Sequence, residues 1–505
     1  MIQNILCFLE ESAEVYPDKT AFADEHAHIT YRELLSLSRR IGSFLGGKSA
    51  PRRPIPVLTK KNIYTLASFM GVETAGCFYI YLDSGQPAGR LNRILDTLQA
   101  DLMIADRGSL EEAGSLSFQG EILDLEQLKS LPEGSQDPCL LASIRAQALD
   151  MDPLYAIFTS GSTGIPKGVI VGHRSVIDFI GHFTELFHIT DRDIIGNQAP
   201  FDFDVSVKDI YSALKTGATM EIIPKKLFSI PTGLLDYLCH KEITTAIWAV
   251  SALCIITTLK GFSYRVPSRL NKILFSGEVM PTKHLTAWRQ SLPDALFVNL
   301  YGPTEITCNC TYYIVDREFE PGASIPIGIP FPNERVFLLD GDNRLITQPG
   351  AEGEICVAGT ALALGYYRDP ERTAASFVPN PLNSGYPETV YRTGDLARYG
   401  EDGLLYFSCR KDFQIKHMGH RIELGEIEAA LETIDGVTRA VCIFLEEKNK
   451  IAAFYEGTAD KRDIAAGLEL ILPRYMSPNI YRNLPLIPLT KNGKADRQAL
   501  RRLYG

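Results

Sequence analysis

Apolar residues along this chain fall into two rhythms. "TYRELLSLSRRIGSFL" spaces Leu34, Leu37, Ile41 and Phe44 at helical intervals. Short apolar runs follow, each reading as a buried strand: "IPVL" (55–58), "LMIA" (102–105), "YAIFT" (155–159), "AIWAV" (246–250), "KILFS" (272–276) and "LFVNL" (296–300). Helical stretches separate many of these runs. The alternation predicts an α/β chain with a large multi-layer N-terminal domain, its β-sheets flanked by helices.

The last hundred residues follow another pattern. "DFQIKHMGHRIELGEIEAALETI" reads as a strand running into a helix. "RAVCIFL" and "KIAAFYE" read as strands joined by the polar turn "EEKNK", and a helix is expected at about 460–472. This is a compact α+β unit, small enough to act as a mobile lid. The expected division is 1–411 for the N-terminal core and 412–505 for the lid, with the boundary near Arg410 and Asp412.

Composition narrows the function classes. The 505 residues are 45% hydrophobic and 22% charged, and the formal net charge of −10 argues against a nucleic-acid groove. Ten cysteines with no CxxC fit reduced thiols in a cytoplasmic protein. The start of the chain has no basic secretory n-region, and no run of about 20 apolar residues suggests a membrane span.

The candidate chemistry centres on "FTSGSTGIPKGV" (158–169). It is not the P-loop G-x-x-x-x-G-K-[ST]: Pro166 stands where the second Gly belongs, and Gly168 follows Lys167. "GVIVGH" after it reads as a strand, so the segment is a hydroxyl-rich flap between two strands. Such a flap suits phosphate. Gly161, Gly164 and Gly168 let backbone approach the oxygens, and Thr159, Ser160, Ser162 and Thr163 supply donors.

Further motifs follow in order: "NLYGPTEIT" (299–307), "YRTGD" (391–395), "SCRKDFQIKHMGHRIELGEIE" (408–428) and "LTKNGKADR" (489–497). With them the chain resembles the adenylate-forming superfamily of acyl-CoA synthetases, luciferases and nonribosomal peptide adenylation domains. The resemblance runs from about residue 10 to the end. It implies two half-reactions: a carboxylate attacks the α-phosphate of ATP, and a thiol then attacks the acyl-AMP. The flap, with Lys167, would hold the leaving phosphates. Asn299 would bond the adenine amine, Tyr301 would stack on the base beside Gly302, and Thr304 would contact the α-phosphate. Glu305 would bind magnesium, a hard cation that prefers carboxylate oxygen. Asp395 would accept the ribose hydroxyls, and Arg410 would contact ribose or phosphate. Lys494 would bridge the reacting carboxylate and the nucleotide. Asp412 would be the hinge of a lid that presents first Lys494 and then the "KHMGHRIE" segment.

"APFDFDVSVKDIY" (199–211) resembles the segment that opens an amino-acid pocket. Asp204 would meet the substrate α-ammonium, because a buried carboxylate needs a cation. By offset, Val205, Lys208, Trp248, Leu274, Ser276, Leu300, Cys308 and Asn309 complete the pocket, with Trp248 shortening it. If Lys208 points inward, it calls for an anionic or carbonyl-bearing side chain. If it bends to solvent, the pocket suits serine, cysteine or alanine. "FSGEVMP" (275–281) resembles D-alanine–carrier protein ligases, but Ser276 replaces their Cys.

The chain ends eleven residues after Lys494 with no carrier motif, so a monomer serving a separate phosphopantetheinylated carrier protein is expected. Lys411, Lys416, Arg421 and Arg439 are candidate contacts for that acidic partner. The competing readings are an acyl- or aryl-CoA ligase, which Asp204 disfavours, and a non-catalytic nucleotide-binding protein.

Overall fold

The computed structural model of the chain describes residues 2–113, 116–161, 166–411, 414–489 and 495–504, and they form the expected α/β architecture. All six apolar runs become strands, but they belong to two sheets. Pro54–Leu58, Leu102–Ala105 and Pro153–Thr159 lie in a seven-stranded sheet. Thr245–Ala249, Lys272–Ser276 and Leu296–Tyr301 lie side by side in a nine-stranded one. The latter three pair in parallel, Thr245 opposite Lys272 and Lys272 opposite Leu296. Parallel strands covered on both faces have no wet side, which is why these runs are apolar without alternation. A third sheet of six strands is antiparallel, and its strand Thr389–Tyr399 alternates buried and half-buried positions accordingly.

Helices fill the space between the two larger sheets. Ile63–Thr74 and Val205–Thr216 are buried around most of their circumference, and they share one apolar cluster with strands of both sheets. The helix expected from the run at 30–45 is observed as Tyr31–Gly46 and begins at a capping box, with the Thr30 hydroxyl accepting from the Glu33 backbone and the Glu33 carboxylate accepting in return. It buries Leu34, Leu37 and Ile41, while Phe44 packs at the margin.

Residues beyond 413 have apolar clusters of their own, one around Ile427, Leu431 and Leu468, another around Ile443, Phe454 and Leu500. The run expected to be one strand entering a helix is instead a hairpin, Gln414–His417 paired with His420–Glu423, followed by helix Leu424–Glu432. Met418 and Gly419 turn it, both with positive φ (53° and 79°), the geometry of a two-residue turn that matches strand twist. A Met at the first turn position hides this from a sequence reading. The other expected elements appear as Val437–Leu445, Lys450–Gly457 and helix Lys461–Ile471. A further strand, Ile480–Asn483, runs parallel to Lys450–Gly457 and was not anticipated.

One buried polar chain joins the layers. The Tyr211 hydroxyl donates to Glu73 Oε1 at 2.5 Å and lies 3.2 Å from the Tyr79 hydroxyl. Among the described residues Glu73 Oε2 has no hydrogen-bond partner. Burial pushes the Glu73 carboxyl up to about 8, against the opposing pull of Tyr211. Between the ordinary value of 4.5 and about 8, the folded chain holds a proton that the unfolded chain has lost. Stability from this group is therefore complete below the lower value and drains away as pH rises through the upper one, by up to about 1.4 kcal/mol per pH unit. Glu73→Gln should flatten this slope, so the variant gains on the wild type between pH 6 and pH 8.5 in urea unfolding.

Candidate active site

The ends of parallel strands in open sheets are where ligands settle, and the cleft of this protein lies there. Lys272–Ser276 and Leu296–Tyr301 deliver Ser276, Gly302 and Thr304, and Pro153–Thr159 delivers Thr159 and Ser160. The antiparallel sheet adds Asp395 and Arg410, and helix Val205–Thr216 adds Asp204 and Val205 at its start. Cys308 and Asn309 complete the wall. The far side is closed by the hairpin of residues 414–423. Ser162, Thr163, Gly164, Asp412 and Lys494 lie outside the described residues.

On one side of the cleft, Asp395 is the hub. Its Oδ2 accepts from the Tyr301 hydroxyl at 2.5 Å and its Oδ1 from Arg410 at 2.6 Å. Asn299 turns its amide to the Pro326 carbonyl at 2.8 Å. Among the described residues the buried Thr159 hydroxyl finds no hydrogen-bond partner. Ser160 is engaged: it donates to the Arg421 carbonyl at 2.7 Å and accepts from the Glu423 amide at 3.2 Å. The Gly161 amide bonds the Glu426 carboxylate.

Glu305 is fully buried, and three elements converge on it. Oε1 accepts from Lys167 at 3.1 Å and from the Tyr366 hydroxyl at 2.7 Å, and Oε2 pairs with Arg421 at 2.5 Å. Burial works to raise this carboxyl, but Arg421 and then Lys167 overcome it and hold the group well below the usual carboxylate range. A carboxylate is the donor magnesium prefers. Here, however, both oxygens already carry cationic or hydroxyl donors. Among the described residues no cluster of three His, Cys, Asp or Glu side chains could hold a metal either. With the hairpin in this position, the residues do not fit the ion.

The carboxylate pocket has two charges. Asp204 is buried, and burial raises its carboxyl, opposed first by a bond from Thr304 and then by Lys208 and Lys416. The Cys308 thiol donates to the Asp204 carbonyl at 3.1 Å. Lys208 points inward and is 0% exposed, so the solvent-facing alternative falls. Its ammonium donates to Asn309 Oδ1 at 2.7 Å and reaches Ser276 Oγ at 3.5 Å. Burial pulls this ammonium down, with Asp204 and Asp209 among the groups acting against it. Leu274 and Leu300 lie behind the pocket in the main apolar cluster.

Trp248 is a correction. Strand residues alternate faces, and Trp248 stands opposite Phe275 on the side away from Leu274 and Ser276. Its indole N–H donates to the Gly196 carbonyl at 2.7 Å and its ring packs on Phe228. It cannot shorten the pocket. The neighbouring Ala249, paired with Ser276, faces the hairpin at Gly419 instead.

Lys416 and Arg421 were expected as surface contacts for a partner. They oppose one another across the hairpin and both turn into the cleft, Lys416 over the Tyr301 ring at 5.6 Å and Arg421 onto Glu305. Two more residues went unnoticed in the sequence. His420 stacks on Tyr475 with ring centroids 3.7 Å apart, and Arg90 pairs with Glu426 at 2.8 Å, both side chains buried. The Lys-x-x-Gly-x-Arg spacing held the only available signal: a two-residue turn puts the flanking Lys and Arg on one face.

A layered α/β body and the residues beyond 413 thus meet over a buried, charged cleft lined by the motif residues. Residues 9–367 match the family described as AMP-binding enzyme, and the chain belongs to that family. It is 34% identical over 97% of its length to tyrocidine synthase 3 of Brevibacillus parabrevis, of which it spans 7%. It is 31% identical to zwittermicin A synthase ZmaJ of Bacillus cereus, covering 97% of this chain and 93% of that one. The structure of holo-PA1221, an NRPS protein with adenylation and PCP domains bound to a vinylsulfonamide inhibitor, superposes with a TM-score of 0.83 at 26% identity, covering 99% of this chain and 84% of that one. The first relatives are far longer than this chain, which spans 45% of tyrocidine synthase 1. The chain is thus similar to adenylation domains of the nonribosomal peptide type, as its motifs led one to expect.

Gly302 is a close-approach position. A Cβ there would lie 2.5 Å from Asn309 Cα and 2.7 Å from the Cys308 carbonyl. Thr307 and Cys308 already carry positive φ (49° and 74°), so this loop has little room to yield. Gly302→Ala should displace Cys308 and Asn309 and reduce adenylate formation at least about 10²-fold, read by ATP–pyrophosphate exchange.

Proposed function

We propose that the protein activates an α-amino acid with an anionic side chain as its aminoacyl-AMP and passes it to the phosphopantetheine thiol of a separate carrier protein. The observation that carries the substrate class is Lys208. It is an ammonium buried in the pocket wall whose described hydrogen-bond partners are neutral, the Asn309 amide oxygen and the Ser276 hydroxyl. Lys is almost never fully buried without a counter-charge; Asp204 and Asp209 act on it only through space, and an anionic substrate side chain would supply a directly bonded one. Asp204 supplies the complementary charge for the α-ammonium. An acyl or aryl acid would leave that carboxylate unmatched, which disfavours a simple acyl-CoA ligase.

In the first step a carboxylate oxygen of the amino acid forms a bond to the α-phosphorus of ATP, and the bond to the bridging oxygen breaks, releasing pyrophosphate. Asp395 would accept the ribose hydroxyls, with Tyr301 and Arg410, which it now bonds, framing the nucleotide. Thr304 would steady the α-phosphate, and Thr159 and Lys167 the departing phosphates. Lys494 would bridge the two anions. In the second step the carrier thiol, losing its proton, forms a bond to the acyl carbon, the carbon–oxygen bond to phosphate breaks, and AMP leaves. We read residues 1–411 as the body and 412–505 as the lid, hinged at Asp412. The hairpin at the cleft, with Lys416 over Tyr301, supports assigning the observed arrangement to this second step. We take the protein to be a cytoplasmic monomer. Among the described residues no helix is long and apolar enough to cross a membrane.

Exchange assays with L- and D-aspartate, glutamate and O-phosphoserine, against serine and alanine, test the substrate class. The acidic group should lead by at least about 10²-fold, since leaving one partner of a buried charge pair unmatched costs about 3–5 kcal/mol. Lys208→Ala should erase that lead while sparing serine. A wild-type preference for serine or alanine would refute the reading. Separately, Lys494→Ala should slow adenylate formation by about 10²–10³-fold in single-turnover measurements.

A further inference from the structure

We propose that the protein carries a second ligand site, for a small phosphate ester bearing sugar hydroxyls, at the carboxyl ends of the strands Pro54–Leu58 and Leu102–Ala105. The site goes beyond the activation reaction and shares no lining residue with the cleft.

The topology of the seven-stranded sheet singles out this place. Pro54–Leu58 leads on to Phe78–Leu82, which pairs with it in parallel on one side. Leu102–Ala105 pairs with it in parallel on the other side and leads on to Glu121–Asp124, one strand further out. Two neighbouring strands thus send their chains in opposite directions, and a crevice opens outside their carboxyl ends. In open α/β sheets such a switch point is where ligands settle. A cavity of about 700 Å³ lies there, within the size range of small-molecule sites. Lys60, just after the first strand, and Asp106 and Arg107, just after the second, line it together with Asp124, Glu126 and Gln127.

The chemistry of the lining decides the class of ligand. Lys60 and Arg107 supply positive charge. Arg107 meets Asp124 Oδ2 through Nε at 3.3 Å and is 83% exposed, which leaves its fork of donors accessible to a phosphate. The carboxylates are fixed in place by the chain around them. Asp106 accepts from the Ser109 amide at 2.7 Å and from the Lys60 amide at 3.2 Å, tying the two strand ends together. Asp124 accepts from the Glu126 amide at 2.9 Å, and Glu126 pairs with Lys129 at 3.0 Å. An ionised carboxylate has about four lone-pair sites, so acceptor capacity is left over. A bare anion is repelled by these groups, whereas hydroxyl donors satisfy them. Among the described residues no cluster of three metal-ligating side chains exists, so the acids do not mark an ion site. Cations beside fixed acceptors therefore fit a phosphate joined to a hydroxylated ring. Tyr64 also borders the cavity and offers a ring to a base, so a free sugar phosphate and a nucleotide are the two sources of this chemistry.

Equilibrium dialysis of labelled ribose 5-phosphate against the full chain is the test. It should bind saturably, one molecule per chain, and inorganic phosphate should bind at least about tenfold more weakly. Arg107→Glu should weaken ribose 5-phosphate at least about tenfold, since it removes charge-assisted bonds, and Lys60→Ala should weaken it in the same direction. Both residues are exposed, and an unshifted urea midpoint confirms that each variant folds. Asp395→Ala, in the cleft, should leave this binding unchanged. Labelled AMP identifies the source. Two molecules per chain in the wild type and one in Arg107→Glu assign the site to nucleotides, and one in both, with ribose 5-phosphate still bound, assigns it to free sugar phosphates. Absence of saturable ribose 5-phosphate binding overturns the proposal. So does binding that survives Arg107→Glu and Lys60→Ala, binding that is lost in Asp395→Ala, or inorganic phosphate binding as tightly as the ester.

Discussion

A single buried carboxylate, Glu305, holds the working parts of this protein together. It stands on the short helical turn after the strand Leu296–Tyr301 of the nine-stranded sheet. Lys167 reaches it from the seven-stranded sheet, Tyr366 from that sheet's edge, and Arg421 from the C-terminal unit. A carboxylate without solvent must be fully matched, and removing one partner of such a pair costs about 3–5 kcal/mol. The layers therefore meet at one defined point. The buried pair Arg90–Glu426 repeats the device a short way off, again between body and C-terminal unit. Apolar contact alone would leave the register of these elements loosely defined, whereas paired buried charges fix it.

The pocket uses charge differently. Asp204 and Lys208 are four residues apart, at the start of one helix, so they share a face. They stabilise one another through space, while the ammonium's hydrogen bonds go to Asn309 and Ser276 rather than to the carboxylate. The surrounding leucines deny water as an alternative partner.

Much of this was legible in the residues. Each strand expected from an apolar run exists, because a run dominated by apolar residues without alternation is buried on both faces. The flap's failure as a P-loop held too, since Pro153–Thr159 and Lys167–Gly172 flank it as antiparallel strands. The motif residues that line the cleft come from four sheets and one helix start, yet order and spacing were enough to group them. What failed was parity and turning. Trp248 differs from a pocket-facing residue by one step along a strand, and composition does not tell which face is which. The hairpin of residues 414–423 was missed because its turn carries Met rather than Asn or Asp.

Local sequence alone determined the elements, the class of fold and the list of chemically able side chains, because periodicity, glycine and charge act within a few residues. Tertiary structure decided the rest: which strands share a sheet, that Lys208 faces inward, and that Arg421 lies against Glu305. Those are long-range electrostatic and packing outcomes. A lysine between two apolar turns can bury or snorkel, and an arginine far along the chain can face solvent or a carboxylate. Only the assembled layers, by removing water from one side, settle which.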